Sequence, residues 1–83
     1  MIGGVLTHVP LEGGYLLLVE PDGTRHHPLW PRGWRVAGEE LLAPDGSVAA
    51  RAGATVRVRG EPDPRAVTAA QLAPVLRVDE VLN

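Results

Sequence analysis

Polar and apolar positions alternate along this chain in short stretches broken by glycine and proline, the pattern of half-buried strands. In Thr55 to Arg59, Val56 and Val58 take one face while Arg57 and Arg59 take the other, so one side is core and the other is wet. In Val75 to Val81, Leu76 and Val78 share a face and Val81 falls one position out of step, which predicts a bulge near the end of that strand. Ile2 to Val9 reads as a strand in which Gly3 and Gly4 permit a sharp bend or a close backbone approach. Leu16, Leu17, Leu18 and Val19 are apolar on both faces. Such a strand is central and covered twice, or its outer face docks a partner.

Turn chemistry supplies the next elements. Pro-Asp-Gly stands between apolar segments twice, at Pro21-Asp22-Gly23 and at Pro44-Asp45-Gly46. Proline presets φ at the second turn position, aspartate tolerates the next, and glycine accepts the left-handed conformation that closes a hairpin. Two hairpins are predicted, Tyr15–Glu20 with Arg25–Leu29 and Glu40–Ala43 with Ser47–Arg51. One segment competes as a helix: Asp63 as cap, Pro64 at the first helical position, and the alanine-rich Arg65 to Ala73 stopped by Pro74. The expected fold is therefore mainly β: a small antiparallel barrel of five to seven short strands with at most one short helix near residues 64–73.

The run Ala52-Gly53-Ala54-Thr55-Val56-Arg57-Val58-Arg59-Gly60, followed after a loop by Val75-Leu76-Arg77-Val78-Asp79-Glu80-Val81, resembles the closing strands of small bacterial OB-fold domains. Members of that family commonly pair an "xGxxVxVxG" strand with a final "xLxVxxV" strand. The resemblance covers about a third of the chain and implies an OB-like barrel. It departs from the family between the third and fourth strands, where members often carry a helix and this chain has Pro31, Gly33, Gly38 and the second Pro-Asp-Gly hairpin.

Composition narrows what such a barrel can rest on. At 83 residues the chain reads as one domain over 1–83, and a domain this small buries only roughly 60 to 65% of its unfolded surface. There is no cysteine, so neither a disulfide nor a thiolate metal site supplements the core, which is built from eleven valines, eleven leucines and ten alanines. The net charge of −2 lacks the basic surplus that phosphate binding normally uses, which disfavours nucleic acid as a partner. No charged leader precedes Val5 and no apolar run reaches the length of a membrane span, so the expected compartment is the cytoplasm, with no membrane partner.

Catalytic chemistry finds little support. Ser47 is the only serine and follows a turn glycine, where a hydroxyl serves local hydrogen bonding. Glu39 with Glu40, and Asp79 with Glu80, are neighbours whose side chains diverge on a strand, so neither pair is expected to converge on one bond. His26 and His27 diverge for the same reason, one expected partly buried and the other exposed. No metal or cofactor is expected.

The unusual side chains gather instead in His26 to Arg35, which holds both tryptophans. Pro28, Pro31 and Gly33 break regular structure there, so Leu29 to Arg35 is expected to be a strand end and an irregular connection. Trp30 continues the strand and is read as structural. Trp34 either covers the barrel end or stands exposed, with Arg32 and Arg35 beside it as flanking guanidiniums. The expected function is a noncatalytic interaction module that docks a protein or its own copy through the outer face around Leu16 and Leu18 and through the Trp34 loop, with Trp30 a further candidate contact. The alternative is an OB-type binder of single-stranded nucleic acid or oligosaccharide using Trp34, Arg32, Arg35, Arg57 and Arg59. A small hydrolase or metal enzyme is the third reading.

Overall fold

A computed structural model describes residues 1–10, 15–66 and 73–82. The described residues hold eight strands: β1 (Ile2–Val9), β2 (Tyr15–Val19), β3 (Arg25–Leu29), β4 (Arg35–Ala37), β5 (Glu40–Leu42), β6 (Val48–Arg51), β7 (Thr55–Pro62) and β8 (Val75–Val81). Five of them close into a barrel in the order β1-β2-β3-β8-β7, and β4-β5-β6 form a separate three-stranded sheet. The barrel is antiparallel at every seam except β3 with β8, where His27, Pro28 and Leu29 run parallel to Val75, Leu76 and Arg77. The mainly β expectation and the closed barrel hold. The additional strands come from the three-stranded sheet. Among the described residues no helix is long and apolar enough to cross a membrane.

Both Pro-Asp-Gly hairpins form, with matching geometry. Gly23 N–H donates to Glu20 O and Gly46 N–H to Ala43 O, each at 2.9 Å. The next pair, Glu20 to Thr24 and Ala43 to Ser47, closes at 2.8 Å. The two glycines take φ of 91° and 87°, the left-handed values this turn requires. Each aspartate completes its turn. Asp22 Oδ1 accepts the Thr24 N–H, and Asp45 Oδ1 accepts both the N–H and the hydroxyl of Ser47. These bonds hold both carboxyls below the usual carboxylate value, led by the Thr24 backbone for Asp22 and the Ser47 hydroxyl for Asp45.

Alternation fills the interior. Leu6, Leu16, Leu18, Val56, Val58, Leu76 and Val78 form one buried cluster. The bulge anticipated near Val81 is present: Arg59 pairs with Glu80 and Gly60 with Val78, which leaves Asp79 as the extra residue on β8. The extra residue returns Val81 to the inner face opposite Val58, where it packs on the core. Gly4 is a close-approach glycine, as a Cβ there would lie 2.5 Å from the Val19 carbonyl oxygen.

The three-stranded sheet is tied to the barrel. Leu6 and the 53–54 turn exchange two backbone bonds of 2.9 and 2.7 Å, while Ala52 N–H donates to Glu39 O at 2.8 Å within the smaller sheet. Leu41 of β5, fully buried, joins the barrel cluster, with Trp30, Trp34, Val36, Ala50 and Ala52 packed around it. The sheet thus contributes one leucine to the core of its neighbour. At the predicted helix start, Asp63 Oδ1 accepts the Arg65 N–H at 3.1 Å and Asp63 O accepts the Ala66 N–H at 3.2 Å, forming a turn. The remainder of that prediction, 67–72, lies outside the described residues.

Candidate interaction surface

Leu16 and Leu18 do not form an outer face. They are 3% and 0% exposed, because β1 pairs Leu6 with Leu18 and His8 with Leu16 and so puts both leucines on the side of the buried Leu6. The outer side of β2 belongs to Tyr15, Leu17 and Val19, and Leu17 is itself buried, so this strand is covered on both faces.

The aromatic crossing is more ordered than the sequence suggests. After β3, Pro31 to Trp34 form a turn closed by Trp34 N–H donating to Pro31 O at 3.1 Å, with Gly33 at φ 90°. A Cβ at Gly33 would lie 3.2 Å from Pro44 Cβ, so the crossing rests against the second Pro-Asp-Gly turn. Chain direction then recovers into β4. Trp30 and Trp34 are both half-buried and pack on the core cluster, while Arg32 and Arg35 are exposed. Each indole therefore has part of its surface on the core and part toward solvent.

Charge pairing separates the arginines. Arg51 meets Glu40 at 3.2 Å, Arg59 meets Glu80 at 2.9 Å, and Arg77 lies 3.9 Å from Glu61 and 4.0 Å from Asp79. Arg32 and Arg35 have no carboxylate within ion-pair distance among the described residues. Arg57 and Arg59 lie on the outer side of β7 in the barrel, while Arg35 lies on β4 of the other sheet, so the fold divides the basic residues between two surfaces.

Comparison with known protein families, curated proteins and solved structures finds no match. The site is therefore read from its own geometry.

Both histidines of β3 are buried, His26 at 9% and His27 at 6% exposure, where one was expected at the surface. They do diverge. His26 shares a face with Leu18 and bonds Glu20 Oε2 through Nε2 at 2.8 Å. His27 meets the edge of Tyr15, ring centroids 5.5 Å apart. Burial pushes the His27 pKa below the usual 6.5. Since the unfolded chain then takes up a proton at higher pH than the folded one, the stability that His27 contributes is present above about pH 6.5 and is lost as pH falls below it. His27→Phe is expected to flatten stability between about pH 7.5 and 5.5, measured by urea midpoints; an unchanged slope would assign the pH response elsewhere.

The carboxylates of Glu39 and Glu40 turn to different partners, although the two residues do not share a strand. Glu39 sits in the β4–β5 turn, where strand alternation does not apply, and both glutamates line an open depression of about 340 Å³ with Arg51 and Ala52. Each faces a different basic group: Arg51 for Glu40, and His8, 3.8 Å away, for Glu39. Among the described residues no three metal-binding side chains converge. Ser47 donates its hydroxyl to Asp45, a turn bond, at 2.6 Å.

Proposed function

We propose that this chain is a noncatalytic interaction module, a small β-barrel that docks another protein or its own copy through the Trp30–Arg35 crossing. The observation that carries this reading is the contrast between arginines. Arg51, Arg59 and Arg77 each have a carboxylate of the same chain beside them, whereas Arg25, Arg32, Arg35 and Arg65 have none among the described residues, and of these it is Arg32 and Arg35 that flank a half-buried indole. A half-buried indole is held in place by the core before any partner arrives, so little rotamer freedom is lost on contact. Tryptophan and arginine are the side chains most enriched where docking energy concentrates. Leu29, 39% exposed at the end of β3, adds apolar surface next to Trp30.

The OB-like architecture is compatible with nucleic-acid or oligosaccharide binding, but architecture does not name a ligand. The surface of β7 and β8 argues against phosphate. Glu61, Asp79 and Glu80 stand among Arg59 and Arg77, so a nucleic-acid backbone crossing that face would meet carboxylates and already neutralised guanidiniums.

Two measurements test the reading. Labelled oligothymidylate is expected to remain unbound at about 50 mM salt, and binding that falls steeply as salt rises would replace docking with strand binding. In Trp30→Phe, which leaves Trp34 as the only indole, acrylamide is expected to quench the remaining emission partially; full protection would remove the contact surface altogether.

A further inference from the structure

We infer that the open edge of β4 takes up an extended peptide of a partner protein as an added strand, and that the peptide alternates carboxylate and apolar side chains. The inference rests on the docking reading and gives it a binding mode and a partner chemistry. In the sheet order β4-β5-β6, β4 pairs with β5 and, among the described residues, with no strand on its other side. Ala37 faces Glu40 across a two-residue turn and Arg35 faces Leu42, and because antiparallel pairs alternate, the N–H and C=O of the intervening Val36 point to the open side.

The remaining sheet edge is defended. β6 pairs Leu41 with Ala50 and Leu42 with Val48, which leaves Ala49 as a bulge, and β6 then runs into the 52–54 turn bonded to Leu6. The barrel closes through all five strands, and where β1 runs past its pairing with β7, Leu6 is bonded to the 53–54 turn. From Trp34 to Gly38 there is no proline, carboxylate or recorded bulge, and Arg35, Ala37 and Gly38 are exposed.

Facing decides the chemistry of the occupant. Trp34 and Val36 pack on the core side, while Arg35 lies exposed on the opposite face with Ala37. A strand added along β4 presents alternate side chains to these two faces. Those beside Trp34 are favoured when apolar, and those beside Arg35, with Arg32 close by in sequence, are favoured when anionic, because neither guanidinium has a carboxylate of its own among the described residues.

The probe is an acetylated, amidated decapeptide alternating glutamate and valine, titrated into the full chain by tryptophan fluorescence, with hydrogen exchange of the Val36 amide read in the complex. Exchange at Val36 is expected to slow about tenfold, and affinity is expected to fall about tenfold on Arg35→Glu, with lysine in place of the peptide's glutamates, or with peptide N-methylated on its edge-facing amides. Arg35 is exposed, so its substitution leaves the core untouched, and the methylated peptide leaves the protein unaltered. Equal binding of the methylated peptide, or unchanged exchange at Val36, overturns strand addition while leaving docking intact. Absence of binding, or equal affinity for the lysine peptide, overturns the proposed partner chemistry; docking itself fails only if Trp34 is fully protected in the quenching test or oligothymidylate binds.

Discussion

Gly60→Ala is expected to destabilise the fold by about 3 kcal/mol, which for a domain of this size lowers the melting temperature by roughly 12 to 24 °C. Gly60 stands where the β7–β8 register shifts. A Cβ on it would lie 3.0 Å from Val78 Cα and closer still to the Arg77 carbonyl oxygen. Both obstacles are backbone, so no rotamer change relieves the clash. Strand β8 must move away, which loosens the bulge that brings Val81 opposite Val58. Gly3→Ala is the matched control: its Cβ would meet the Arg57 Cγ at 3.4 Å, an atom of a flexible side chain, and the expected change is within about 0.5 kcal/mol. Urea midpoints of the two variants decide the matter, and equal midpoints would mean that the bulge does not need glycine.

Leu41→Ala is expected to cost about 2 to 5 kcal/mol, the range for emptying a fully buried leucine site. The significance lies in where Leu41 comes from. It belongs to β5 of the three-stranded sheet yet its side chain completes the barrel cluster, so its loss should destabilise both sheets in one transition. Circular dichroism and tryptophan emission are expected to report the same midpoint, lowered together. Val48→Ala, on the exposed edge strand, should leave it nearly unchanged. Separate transitions in the Leu41 variant would show the three-stranded sheet to be an independent flap.

Elements fixed by neighbours in the chain were legible in the sequence. Both Pro-Asp-Gly hairpins follow from turn stereochemistry that involves four residues, and the bulge at Asp79 follows from Val81 being one step out of phase. The facing of β2 was not legible, since three successive leucines fit either phase and only the pairing of Leu6 with Leu18 selects one. Strand β4, three residues between Trp34 and Gly38, is too short to carry a period, so the Gly38–Glu39 turn, with Gly38 at φ 61° in the first central position, had no flanking alternation to mark it as a hairpin. For the candidate site, the residue types around Trp34 were visible from composition alone. Which guanidiniums have carboxylates beside them, which sheet edge is open and why Glu39 shares a depression with Glu40 depend on contacts between distant segments, which no local pattern encodes.

Two long-range seams, β1 with β7 and β3 with β8, set the order in which the ring can be assembled. The β2–β3 and β5–β6 hairpins join near neighbours in the chain and can form on a microsecond timescale. The β3–β8 pairing joins His27 to Val75 and the β1–β7 pairing joins Ile2 to Val58, so both seams must meet a large loop entropy before any of their residue pairs is made. Closure of the circle is therefore the late, slow event of folding. Until it happens, the strands of both seams carry an open edge, the stage at which a newly made chain is most open to aggregation.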